Sequence, residues 1–217
     1  LRSHQSRELS LHPKNRFLSR ERYTVNWDEQ WALFAENFHD GMAHIDLTRF
    51  GSNSILKLLP GPGFGDLSHP TTALMLSLMK GRIEGETVLD IGSGSGILSL
   101  AAVLLGAKEA YGIDIDLDAI DHANKNASLN QLEKKTHFSL DMPKLRAPSV
   151  CLMNMIFPEQ KGFGPEKLQG HAKLWIVSGI LSEQKEEYLK QAQSWGWRLL
   201  ELRSEDQWIG AVFKTTC

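Results

Sequence analysis

The run Val88-Leu89-Asp90-Ile91-Gly92-Ser93-Gly94-Ser95-Gly96 decides how the rest of this chain is read. Thr87 to Ile91 form a short, largely apolar stretch, and after the glycines Ile97, Leu98, Leu100, Ala101, Val103 and Leu104 recur at helical spacing. That pattern predicts a strand, a tight turn and a buried helix. Glycines in such a turn let the backbone approach a ligand, and the helix that follows points free N–H groups at it. The third glycine comes one residue earlier than in the dinucleotide pattern G-x-G-x-x-G, which argues against a pyrophosphate-binding dehydrogenase. Asp114 ends a second short run, Ala110 to Ile113, twenty residues after Gly94. A carboxylate there can accept both hydroxyls of a ribose, so turn and acid together read as a nucleoside site.

Outward from this centre, strands and helices alternate. Towards the N-terminus, Ala73 to Lys80 predicts an apolar helix opened by Thr71 and Thr72. Pro60 to Gly65 breaks regular structure, and Ile45 with Leu47 and Ile55 to Leu59 suggest short strands. Trp27, Trp31, Phe34, Ala35 and Phe38 fall on one face of an expected helix that Gly41 would terminate. Towards the C-terminus, Leu117 to Leu129 predicts a helix, and His137 to Leu140 a strand ending at Asp141. Val150 to Met153 predicts a strand ending at Asn154, followed by Leu174 to Val177 as a strand and Glu183 to Trp195 as a helix. Trp197 to Leu202 and Trp208 to Phe213 suggest a closing hairpin. The order predicts an α/β fold, a mostly parallel sheet covered on both faces with a C-terminal antiparallel hairpin. Gly92, Asp114, Asp141 and Asn154 would gather at the carboxyl ends of its strands, where such sheets bind ligands.

The 217 residues, 41% hydrophobic and 23% charged, suit one core with a small appendage: an arm and linker over 1–59 and the main domain over 60–217. Cys151 and Cys217 match neither a metal spacing nor a disulfide framework. No signal-peptide pattern opens the chain, and the apolar stretch Ile97 to Ala107 is about half a membrane span, so a cytoplasmic protein with no metal and no membrane contact is expected. Residues 1–22 carry six Lys/Arg against two acids, which leaves the rest of the chain at −6. That charge argues against nucleic acid as the direct substrate.

The motifs PGPGFG (60–65), HPTT (69–72), VLDIGSGSGIL (88–98), GIDID (112–116), the strand-end Asn154 and SGIL (178–181) with Gln184 resemble class I S-adenosylmethionine-dependent methyltransferases. Within that class they are most similar to the ribosomal protein L11 methyltransferase family. The resemblance spans roughly residues 60 to 185 and implies a Rossmann-like seven-stranded methyltransferase sheet. It implies S-adenosylmethionine as methyl donor and an amine of a protein as acceptor, with ribosomal protein L11 the substrate it points to. By the same resemblance Thr72 and Gly92 contact the methionine part of the cofactor, and Ser93, Gly94 and Ile115 are cofactor-binding beside them. Asp114 holds the ribose hydroxyls, Asp141 faces the adenine, and Asn154 stands where cofactor and acceptor amine meet. Asn154 is the one residue assigned to catalysis.

The chain departs from the family twice. Phe64-Gly65-Asp66-Leu67-Ser68-His69 replaces a small-residue loop, and the residues before Trp27 are too few and too polar for the family's N-terminal substrate-recognition domain. These departures keep two alternatives open: a methyltransferase of a small molecule or RNA, and an inactive S-adenosylmethionine-binding module. Methyl transfer from a sulfonium is an in-line displacement whose main requirement is positioning. For a lysine acceptor, freeing the lone pair at pH 7 costs about 4.6 kcal/mol, and for an α-amine about 1 to 1.4. Asn154 can orient an amine through its amide oxygen, with Met155, Ile156 and Phe157 expected as apolar walls. His69 and Glu159 are conceivable proton acceptors but are assigned to loop fixing and solvation.

Overall fold

The computed structural model describes residues 37–62 and 69–216. Among these, strands β1 (Phe38–His39), β2 (Met42–Asp46) and β3 (Ile55–Leu58) form a small antiparallel sheet. The main sheet contains β4 (Thr87–Ile91), β5 (Glu109–Ile113), β6 (Thr136–Ser139), β7 (Ser149–Asn154), β8 (Ala172–Leu181), β9 (Trp197–Glu205) and β10 (Trp208–Thr215). Its order is β6-β5-β4-β7-β8-β10-β9, parallel from β6 through β8, with β10 antiparallel to both β8 and β9. The helices are α1 (Pro70–Met79), α2 (Ile97–Leu104), α3 (Leu117–Leu129), α4 (Phe157–Phe163) and α5 (Lys185–Ser194). None among the described residues is long and apolar enough to cross a membrane.

Strand period and burial explain the layering. Successive side chains of a strand point to opposite faces, and a parallel strand covered on both is apolar throughout. On one face Val88, Ala110, Val150, Leu152 and Ile176 meet α1 and α2. On the other Leu89, Cys151, Met153, Trp175 and Val177 meet Tyr188, Trp195 and Trp197. Helix α1 is buried at nearly every position, which accounts for its lack of a polar face. Chain order runs β4, β5, β6 to one side and then returns past β4 to β7, so the switch point lies where β4 and β7 are neighbours.

Phe38, expected as the last stripe residue of a helix, is instead in β1. Gly41, at φ +74°, turns the β1–β2 hairpin rather than ending a helix. A stripe of aromatics read locally does not distinguish the two once a hairpin partner is available. The rest of the expected helix, Trp27 to Ala35, lies outside the described residues, as does the departing loop at Asp66 to Ser68.

The small sheet joins the main core. Ile45, Leu47, Leu56 and Leu58 share one apolar cluster with Leu76, Leu100 and Ala127. Asn126 of α3 and Asn130 at its C-cap extend its edge: Lys57 N–H donates to Asn130 Oδ1 at 2.9 Å and Leu59 N–H to Asn126 Oδ1 at 2.8 Å. Asn126, fully buried, passes its own Nδ2 hydrogen to the Ser95 carbonyl at 2.9 Å, tying the linker to the glycine turn.

Candidate active site

A cleft of about 890 Å³ opens at the carboxyl ends of β4, β5 and β7. Its floor is the glycine turn. Gly92 sits at φ +72° and Gly94 at φ +54°, backbone shapes that side chains resist. The N–H groups of Gly92 and Ser93 both donate to the Ile113 carbonyl, at 2.9 and 3.0 Å, so the turn is moored to the end of β5. Asp114, one residue on, closes the same knot: Oδ2 accepts from Gly94 N–H at 2.9 Å and Oδ1 from Asp116 N–H at 3.1 Å. An ionised carboxylate has about four lone-pair sites, so two bonds leave room for ligand hydroxyls.

Below the turn, Asp90 is buried in the middle of the sheet. Its Oδ2 accepts from the N–H and the hydroxyl of Ser99, at 3.1 and 2.8 Å, capping α2 from outside the helix. Burial pushes its carboxyl up to about 7, against the opposing pull of the two Ser99 bonds. Its Oδ1, Thr72 Oγ1 and Ser93 Oγ are buried and find no partner among the described residues. Unsatisfied buried polar atoms are costly and uncommon. These three lie on the elements that meet at the glycine turn, at the start of α1, on β4 and in the turn itself.

The expected site residues divide. Gly92, Gly94, Asp114, Ile115 and Asn154 line the one cleft. Thr72 and Ser93 lie beneath its surface, and Thr71 takes the lining position at the start of α1. Asp141 is exposed and stands outside the lining, between Leu140 and Met142, which do form the wall. Phe157, expected as a wall, is buried at 3% exposure, its ring 5.0 Å from that of Tyr188. His69 caps α1: its Nδ1 accepts the Thr71 N–H at 3.4 Å and lies 2.8 Å from the Thr71 hydroxyl, with Pro70 opening the helix. Expected to fix the loop before Pro70, His69 serves as the N-cap of the helix.

Asn154 ends β7 opposite Ser178 of β8, half-buried, and its side-chain amide makes no hydrogen bond among the described residues. Behind it stands a bond network absent from the sequence-based expectations. Gln160, fully buried on α4, reaches the Met155 and Ser178 carbonyls and the Tyr188 hydroxyl. Helix α4 itself had a signal, Pro158 near its start and Gly164 at its C-cap with φ +68°. Gly179, also at φ +85°, is where β8 presses on the Met155 peptide: a Cβ there would come within 2.6 Å of the Met155 carbonyl carbon and closer still to its oxygen.

An open parallel sheet with a nucleoside-type turn, a strand-end acid and an unpartnered strand-end Asn in one cleft is that of a Rossmann-like methyltransferase domain. The family model for ribosomal protein L11 methyltransferase matches residues 34–216. The chain is 34% identical to the ribosomal protein L11 methyltransferase of Prochlorococcus marinus, over 90% of this chain and 71% of that protein. It is 30% identical to that of Thermotoga petrophila, over 74% and 62%. Among solved structures, the ribosomal protein L11 methylase of Lactobacillus delbrueckii subsp. bulgaricus superposes with a TM-score of 0.67 at 26% identity, covering 76% of this chain and 87% of that one. This chain belongs to the ribosomal protein L11 methyltransferase family. It spans about 62 to 71% of the length of these two curated relatives.

Proposed function

We propose that this chain transfers a methyl group from S-adenosylmethionine to an amine of a ribosomal protein, L11 being the substrate its family points to. The observation that carries this reading is the meeting, in one cleft, of the moored glycine turn, Asp114 and the unpartnered Asn154 amide. The residues fit the cofactor. The orphaned Thr72, Ser93 and Asp90 oxygens suit an aminoacyl end, Asp114 retains capacity for ribose hydroxyls, and Ile115, Leu140 and Met142 offer apolar walls to the adenine. When bound, S-adenosylmethionine supplies an electrophilic methyl group on a sulfonium. The main-domain boundary near residue 60 belongs to the same reading, with 37–59 as an extension packed on its core.

What the protein does is hold the acceptor. Asn154 accepts an N–H from the incoming amine through its amide oxygen, which turns the nitrogen lone pair towards the methyl group. Ionisable side chains lining the cleft are the carboxylates Asp114, Asp116 and Glu159, with His69 and no Lys or Arg among the described residues. Such a lining attracts an ammonium and repels a phosphate backbone, which favours a protein amine over RNA. The ammonium must shed its proton before attack, at a cost of about 4.6 kcal/mol for a lysine at pH 7. Transfer to lysine therefore quickens as pH rises towards ~10.4.

The test is radiolabelled methyl transfer into free L11, ribosomes, RNA and small-molecule extracts, alongside calorimetric titration with S-adenosylhomocysteine. Label in L11 and cofactor-product binding are expected. Label confined to RNA or metabolites overturns the acceptor, and absent binding overturns the cofactor.

A further inference from the structure

Strands β7 and β8 pair in parallel as far as Asn154 and Ser178. Beyond that point the ladder ends, and the Met155 and Ser178 carbonyls need donors from elsewhere. Gln160 supplies both: Nε2 donates to the Met155 carbonyl at 2.7 Å and to the Ser178 carbonyl at 2.9 Å. With both amide hydrogens committed, only Oε1 remains for the Tyr188 hydroxyl, which donates to it at 2.6 Å. Tyr188 is fully buried, its ring 5.0 Å from Phe157 and 6.0 Å from Trp195, so α5 fixes the direction in which the Gln160 amide faces.

We infer that Gln160 and Tyr188 are positioning residues for the methyl acceptor: they lock the Met155 peptide and thereby hold Asn154 towards the cleft. The inference rests on the methyltransferase reading above. A clamp that served stability alone could sit anywhere along the seam of β7 and β8. This one falls on the carbonyl of Met155, the residue that follows Asn154. Gly179 closes the other side of the same peptide, where a Cβ would strike it. Met155 also reaches the cofactor side, since a Cβ on Gly92 would lie 2.6 Å from its Sδ. One residue, Met155, thus links the acceptor side chain to the glycine turn, and a displacement near 1 Å in such a link costs about a hundredfold in rate.

The test uses two variants of the full chain. Tyr188→Phe keeps the ring and removes the hydroxyl; Gln160→Leu keeps the bulk and removes both donors. At saturating cofactor and L11, kcat is expected to fall about tenfold in Tyr188→Phe and about a hundredfold in Gln160→Leu. The Kd for S-adenosylhomocysteine should stay within about twofold in both, a split that general destabilisation does not produce. A second measurement follows the Met155 methyl signal by NMR in methyl-labelled protein, assigned through Met155→Leu. It should broaden or double in both variants while the signals of Met75 and Met79 in α1 hold still. Retained kcat in both variants, loss of kcat and cofactor affinity in proportion, or an unmoved Met155 signal overturns the inference. If the parent protein binds S-adenosylhomocysteine yet methylates no protein, the proposed function falls, while the Met155 signal still decides the brace.

Discussion

The two rims of the cleft are built on different principles. On the proposed cofactor rim, the donors are backbone N–H groups close in sequence: the Ile113 carbonyl receives two from the glycine turn, and the Asp114 carboxylate receives two more, from Gly94 and Asp116. On the proposed acceptor rim, contacts come from separate elements. Gln160 and Tyr188 come from two helices, and Gly179 from a neighbouring strand, to restrain Met155, the residue after Asn154. The cofactor rim depends on a few φ angles and on one acid. A rim assembled from buried polar side chains fails at any one of them, because each lost partner leaves another group unsatisfied.

The sharpest way to break this contrast is Gly179→Ala. The added Cβ meets the Met155 peptide backbone at a φ of +85°. Backbone strain of ~1–3 kcal/mol adds to overpacking of similar size, so a loss of about 4 kcal/mol is expected in urea unfolding. A loss under 1 kcal/mol would show that the acceptor rim has slack.

Asp90 tests the cofactor rim through pH. Its carboxyl is raised from 3.8 to about 7 by burial, so between those values the unfolded chain releases a proton that the folded chain keeps. Stability is therefore full below about pH 3.8 and falls as pH rises through 7, by up to about 4 kcal/mol. Asp90→Asn should remove this slope, leaving the variant more stable than the parent at pH 8 in matched urea titrations. A parent and variant with parallel pH profiles would mean that Asp90 is ionised in the fold.

Asp114→Ala is next in size. Loss of charge-assisted hydrogen bonds worth ~1.5–3 kcal/mol should weaken S-adenosylhomocysteine binding roughly 10- to 150-fold by calorimetry, with kcat at saturation changed far less. Unchanged affinity would place the ribose elsewhere. Asp141→Ala is the smallest: with its side chain outside the lining, cofactor affinity should move by less than about twofold, within the ±0.5 kcal/mol usual for surface substitutions. A larger drop would draw Asp141 into the cofactor rim.

Legibility follows the same division. The glycine turn and its acid could be read because they are near neighbours in sequence, glycines where φ is positive and Asp114 at the next strand end. The layered sheet could be read because covered parallel strands are apolar runs and α3 has a clear period. Thr72 and Thr71 could not be told apart, since one residue of helix rotation decides which faces the cleft. Phe157 looked like a wall residue, because nothing local shows that α4 turns it inward against Tyr188. Phe38 looked helical, because the hairpin that claims it depends on a partner strand.

By itself the sequence determined the sheet, the glycine turn and the acid that serves it, since these follow from periodicity and from backbone angles that few residues adopt. Only the tertiary structure decided that Gln160, Tyr188 and Gly179 converge on Met155, the residue after Asn154. The physical reason is that a buried hydrogen bond between residues 28 apart leaves no periodic trace in the chain. It exists only once β7 and β8 have paired and two helices have closed over their ends.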